Sequence, residues 1–170
     1  MRQLEHQEHV PRRHHGRHVE VALVGLKDPL NVGQAFRTCV SLGVTQLYLC
    51  DGTPSPPLAK INRTARGAQH HLPWTAHSTE ECVTSFRESM KGSGKLGVVL
   101  GVELATASCD IRERTHQDAA VLLLLGNEAH GLSPAELALC DEVVHLPLYG
   151  SVSSLNVATA LALAVWECVR

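Results

Sequence analysis

The sequence predicts an α/β fold, a mostly parallel sheet with helices on both faces. Three observations carry this expectation. Short apolar runs such as VEVALVG (19–25), LGVVLG (96–101) and AAVLLLL (119–125) alternate with stretches of helical periodicity. The runs are nearly continuous in Val, Leu and Ala, as strands covered on both faces require. Two of them stop at polar, glycine-bearing loops, and open α/β sheets place ligands outside such strand ends. At 170 residues the chain is expected to form one domain over 19–170, preceded by a basic, histidine-rich arm over 1–18.

The elements follow in order. Val19 to Gly25 is a strand. The loop LKDPLNVG leads to a helix in which Ala35, Phe36, Cys39, Val40 and Leu42 form an apolar face, ending at Gly43. Asn31 can cap this helix or order its loop, Gly33 permits close approach, and Arg37 lies off the apolar face. Gln46 to Cys50 is the next strand, closed by Asp51-Gly52. Residues 53–69, TPSPPLAKINRTARGAQ, carry Lys60, Arg63 and Arg66 with no acidic neighbour. They read either as a solvated loop with one helical turn or as a substrate loop that contacts phosphate. His70 to Trp74 is a brief strand, with His70 and His71 as ordinary edge or core residues. Ser78 caps a helix to Lys91, with Glu80 and Glu81 in its first turn.

Leu96 to Gly101 is a strand and 104–118 a connection. Ala119 to Leu125, Pro134 to Leu139 and Glu142 to Leu146 read as strand, short helix and strand. Ser153 to Val169 is a closing helix, apolar nearly all round. Such a helix should be buried on more than one side. In a chain this small a second subunit is the simplest cover, so a homodimer through the C-terminal helix is expected.

Composition narrows the function classes. A formal net charge of -2 gives no global nucleic-acid footprint and leaves room for a local patch. Six scattered cysteines without a CxxC pair read as core thiols, so a reducing, cytoplasmic setting is expected. Residues 1–18 show no signal peptide, and the final helix is too short and interrupted to span a membrane. No convincing metal cluster appears. The dinucleotide fingerprint GxGxxG is absent.

Three motifs carry a family resemblance: Asn31-Val32-Gly33-Gln34-Ala35-Phe36-Arg37-Thr38, then Leu125-Gly126-Asn127-Glu128-Ala129-His130-Gly131-Leu132-Ser133, and finally Leu146-Pro147-Leu148-Tyr149-Gly150 with Ser154-Leu155-Asn156-Val157-Ala158. In this order they resemble the SpoU/TrmH-type RNA methyltransferases of the SPOUT superfamily, over about residues 19–170. Arg63-Thr64-Ala65-Arg66-Gly67-Ala68 resembles a further family segment. Leu148 and Ala158 are small departures, where the family often has Met and Ser.

The resemblance implies transfer of a methyl group from S-adenosylmethionine to a ribose 2'-hydroxyl in structured RNA, tRNA slightly favoured over rRNA. It also implies a C-terminal trefoil knot, an exception to the usual rules of chain connection, and a dimer through the terminal helix. Its catalytic residues map to Arg37, Asn31, Glu128, Ser154 and Asn156. Its cofactor loops map to Leu100, Gly101, Gly126, Asn127, Leu146, Pro147, Leu148, Gly150 and Leu155. A guanidinium is a poor proton acceptor, so Arg37 better suits holding phosphate and stabilising alkoxide than acting as base. Clustering makes Arg12, Arg13, Arg17, Lys60, Arg63 and Arg66 the candidate RNA surface. Two other readings stay open: base-nitrogen methylation, and an inactive RNA-binding protein of the same fold.

Overall fold

A computed structural model describes residues 15–170; Arg12 and Arg13 therefore lie outside the described residues. Seven strands form one sheet: β1 (Val19–Val24), β2 (Gln46–Cys50), β3 (Trp74–His77), β4 (Gly97–Val102), β5 (Cys109–Asp110), β6 (Ala120–Leu125) and β7 (Glu142–His145). Their order is β3-β2-β1-β6-β4-β7-β5, and every strand pairing is parallel. Five helices complete the domain: α1 (Pro29–Ser41), α2 (Ala59–Ala65), α3 (Thr79–Gly92), α4 (Pro134–Leu137) and α5 (Val157–Val169).

The pleat of the central strands explains their unbroken apolar runs. Val19, Val21 and Leu23 of β1, with Val121, Leu123 and Leu125 of β6, enter a core shared with Phe36, Ile61, Leu161 and Val165 from α1, α2 and α5. The alternate residues Ala22, Val24, Leu122 and Leu124 face Cys82, Val83, Phe86 and Met90 of α3. Both faces are covered, so both side-chain registers are apolar apart from Glu20, whose carboxylate is hydrogen-bonded by Tyr48 and His18. Truncating a fully buried leucine such as Leu123 to alanine should cost about 2–5 kcal/mol.

Helix starts differ from the sequence expectation in two places. Asp28 caps α1 by accepting from the Leu30 amide, and Pro29 occupies the first turn. Asn31 is therefore inside the helix, buried, and not its cap. At the other end, α5 begins at Val157, with Asn156 as its cap accepting from the Ala158 amide at 2.9 Å, so 153–156 are not helical. Ser154 does not cap that helix.

The basic stretch expected to hold one turn folds as the seven-residue α2, ended by Arg66 in a left-handed conformation (φ 49°). Gly33 is what lets α1 lie against it, since a Cβ there would stand 1.9 Å from the Thr64 Oγ1. The strand expected at 70–74 forms instead as β3, after a 3-10 turn at Ala68–His70. His70 and His71 are exposed. Val40 surfaces from α1 at 36% exposure. The α3 helix begins as expected, with a reciprocal Ser78–Glu81 capping box.

The closing helix buries Val157, Ala158, Leu161, Ala164, Val165 and Cys168 and packs on α1. Leu163 and Trp166 remain exposed on its outer side. All six cysteines are free. Among the described residues, no helix is long and apolar enough to cross a membrane, and no group of His, Cys, Asp and Glu could hold a metal ion.

Candidate active site

Three loops at the carboxyl ends of β4, β6 and β7 enclose a cleft of about 1050 Å³. Val102, Glu103 and Leu104 form one wall, 125–131 the second, and 145–148 with 150–157 the third. The loop after β6 is a tight reversal. The Asn127 side chain accepts from the amides of Ala129 and His130, both at 2.9 Å, and Gly131 closes back on the Asn127 carbonyl at 3.0 Å. Gly126 makes the crossing possible, because a Cβ there would stand 2.1 Å from the Gly131 carbonyl carbon. Glu103 fastens the loop from the β4 side, accepting from the amides of Leu132 at 3.0 Å and Leu104 at 3.1 Å.

A relay of side chains ties the cleft to α1. Asn156 Nδ2 donates to Asn31 Oδ1 at 3.0 Å, and Asn31 Nδ2 donates to Glu128 Oε1 at 2.6 Å. The Lys27 amide reaches the other Glu128 oxygen at 3.4 Å. The Asn31 amide thus joins α1 to two segments that follow it by 97 and 125 residues. Partial burial by itself would raise the Glu128 carboxyl. The bonds from Asn31 and from the backbone amides of this corner more than offset it, and the group sits below the ordinary carboxylate range.

The cleft gathers most of the residues singled out from the sequence. Gly126, Asn127, Leu146, Pro147, Leu148, Gly150 and Leu155 line it, as do Glu128, Ser154 and Asn156. Asn31 stands behind it, bonded to two of the lining residues. Leu100 and Gly101 do not line it: β4 continues to Val102, Leu100 is fully buried in the sheet, and the wall is made one step later. Arg37 is also outside the lining. It is exposed on α1, about two turns beyond the helix start.

Of the candidate RNA contacts, Lys60, Arg63 and Arg66 are exposed on and after α2. Arg17 lies at the opposite edge of the sheet, just before β1, where it is ion-paired with Asp118 and donates to the Gln117 carbonyl at 3.1 Å. Its charge is already engaged.

Sequence reasoning missed Glu103, His130 and His145 in the cleft wall. His145 Nδ1 lies 3.0 Å from the Ser108 hydroxyl, which itself donates to the Ala105 carbonyl at 2.7 Å. With its proton given to that carbonyl, the hydroxyl is placed to accept from Nδ1–H. Nothing in the spacing of these residues signals the cleft; Glu103 acts on an amide 29 positions away. Among the described lining residues there are two carboxylates, Glu103 and Glu128, and no Lys or Arg.

Fold and cleft together define a parallel α/β protein with a ligand-sized site at a crossing of strand-end loops. The chain belongs to the SpoU rRNA Methylase family, whose model matches residues 18–166. It is 31% identical over 160 residues to the 23S rRNA (guanosine-2'-O-)-methyltransferase RlmB of Xanthomonas axonopodis pv. citri, covering 91% of this chain and 59% of that protein. It is likewise 31% identical over 142 residues to the 23S rRNA (guanosine(2553)-2'-O)-methyltransferase RlmP of Bacillus subtilis, covering 84% and 54%. The crystal structure of the SpoU methyltransferase AviRb from Streptomyces viridochromogenes, in complex with the cofactor AdoMet, superposes with a TM-score of 0.82 at 30% identity, covering 94% of this chain and 62% of that one. The chain thus spans less than two thirds of the length of these relatives.

Proposed function

We propose that this domain transfers a methyl group from S-adenosylmethionine to a ribose 2'-hydroxyl of structured RNA. The observation that carries the reading is the charge of the cleft. Two carboxylates and no lysine or arginine line it, which suits a donor bearing sulfonium and ammonium charges and disfavours a polyphosphate cofactor. Gly126, Asn127, Leu146, Pro147, Leu148, Gly150 and Leu155 would hold the adenosine and the methionine arm. Bound there, the cofactor supplies an electrophilic methyl carbon on sulfur.

The chain's own contribution is positioning. Asn31 fixes Glu128 and Asn156 on opposite walls of the cleft, so that an incoming alcohol meets a preset array. Ser154, exposed at the cleft mouth, is placed to touch the acceptor. Arg37 on α1, which packs against α2 with Lys60, Arg63 and Arg66, suits the phosphate beside the target ribose. A phosphate-holding guanidinium does not need to line the cleft. With the donor bound, these residues would align the acceptor hydroxyl with a methyl carbon that the sulfonium can release as a neutral thioether, and the open cleft would let the hydroxyl proton pass to solvent.

The RNA class rests on the relatives. RlmB and RlmP are by name 23S rRNA enzymes, which gives the earlier tilt toward tRNA no support; rRNA and tRNA stand together as acceptors. A homodimer across the exposed Leu163 and Trp166 of α5 is part of the proposal, as is the trefoil knot, supported by resemblance and by the placement of β4 between β6 and β7. The free, mostly buried cysteines suit a reducing, cytoplasmic setting.

The test is incubation with methyl-labelled S-adenosylmethionine and separate unmodified rRNA and tRNA pools, followed by digestion to nucleosides. Label on a ribose 2'-oxygen is expected. Label on a base nitrogen would replace the reaction class and keep the cofactor.

A further inference from the structure

Tyr149 stands out among the aromatic side chains. Phe36 and Phe86 are fully buried and Tyr48 is nearly so, each filling the core. Tyr149 is 85% exposed, the highest value among the exposed large hydrophobic residues, and contributes nothing to either core cluster. Its neighbours Leu148 and Gly150 both line the cleft while Tyr149 itself does not. Tyr149 therefore belongs to a loop that walls the cleft, with its ring in solvent and one lining residue on either side.

The strand edge beside the ring is ordered by an ion pair. Arg112 lies near its hydroxyl, and that guanidinium is clamped by Asp110, with Nε donating to both carboxylate oxygens at 2.9 and 3.1 Å. Asp110 belongs to β5 and pairs in register with His145 of β7, the strand that feeds the Tyr149 loop. The hydrogen bonds from Arg112 hold the Asp110 carboxyl down to about 2, so the clamp persists through the physiological range. Tyr149 is thus a large planar surface open to solvent, on a loop that follows a strand of the sheet.

We propose that Tyr149 is a stacking platform for an unpaired nucleobase of the RNA, next to the ribose that receives the methyl group. The inference rests on the methyltransferase reading and adds the state of the RNA at that site. A base inside a duplex has both faces covered, and a ribose inside a helix cannot enter a cleft walled by three loops. A base that leaves its stack exposes its faces and gains most from an aromatic side chain, whatever its identity. The site therefore selects for a loop, bulge or end over a continuous helix.

The test uses the full chain loaded with S-adenosylhomocysteine and a short RNA carrying one 2-aminopurine, either single-stranded or annealed to its complement. Single-stranded RNA should be bound with quenching of the 2-aminopurine emission, and the duplex bound at least about tenfold more weakly. Tyr149→Ala should lose about tenfold or more in affinity and most of the quenching, whereas Tyr149→Phe and Tyr149→Trp, which keep a ring, should stay within about threefold of the parent. Cofactor affinity and sedimentation should be the same in all four proteins. Equal binding by Tyr149→Ala, equal quenching with the duplex, or no quenching by the parent would overturn the platform. So would a Tyr149→Ala protein that has lost cofactor binding or changed its oligomeric state, which would make the ring a structural or subunit contact. Failure of the parent to bind the cofactor would count against the methyltransferase reading instead, while the quenching comparison on the cofactor-free protein would still decide the platform.

Discussion

The two edges of the parallel sheet treat their polar groups in opposite ways. At the amino edge and in the adjoining first half of β1, charges satisfy one another. Arg17 pairs with Asp118, and the buried Glu20 receives His18 Nε2 at 2.7 Å and the Tyr48 hydroxyl at 2.8 Å. At the carboxyl edge the polar groups are held from one side only. Glu128 takes its bonds from Asn31 and Lys27, Glu103 takes its bonds from Leu104 and Leu132, and both still line an open cleft. A polar side chain on a sheet edge thus points to function when its partners fix its position without exhausting its exposure. Closed pairs such as Arg17–Asp118 are pins.

Breaking the backbone of the open edge should have the largest effect. Gly126→Ala places a methyl group 2.1 Å from the Gly131 carbonyl carbon, with no flexible side chain to yield. We expect cofactor binding in calorimetry to be abolished and the melting temperature to fall by several degrees. Next comes Asn31→Ala, which leaves Glu128 and Asn156 without their shared partner. A loss of about 2–3 kcal/mol in denaturant stability is expected, with methyl transfer falling further than stability accounts for.

Tyr48→Phe sharpens the contrast from the closed edge. It leaves one Glu20 oxygen without its donor, and should cost about 1–2 kcal/mol of stability while cofactor affinity is unchanged. Acid should act on the open edge in a defined direction. The folded Glu128 carboxyl lies below its ordinary value of 4.5, so its stabilisation is complete above that pH and is lost as pH falls through the lowered value. Replacing it by glutamine should flatten this part of a stability–pH curve. The smallest effect is expected for Asp118→Ala, which removes an exposed ion pair and should change stability by less than about 1 kcal/mol and transfer not at all.

Much of the fold was legible because the sheet is covered on both faces. Apolar runs at 19–24, 97–102 and 120–125, interrupted only by Glu20, leave little choice but buried parallel strands. The α1 start was misplaced although Asp28-Pro29 is a usual cap-and-first-turn pair, because the apolar periodicity sets in only at Ala35. The two-residue β5 has no periodicity to read. In the cleft, glycines and asparagines of the motifs were visible through the family resemblance. Glu103 and His145 were not, since their partners are an amide and a hydroxyl 29 and 37 positions away. The pairing of Arg17 was hidden for the converse reason. A run of arginines in the sequence says nothing of an aspartate 101 residues on.

The relay through Asn31 is the centre of the account, and calorimetric titration with S-adenosylmethionine tests it most directly on three proteins: the parent, Asn31→Ala and Tyr48→Phe. The parent and Tyr48→Phe should bind with equal affinity, and Asn31→Ala at least about tenfold more weakly, the ratio that 1.4 kcal/mol represents. Equal binding by all three would show that the cleft does not depend on the relay, and absence of binding by the parent would remove the cofactor from the cleft.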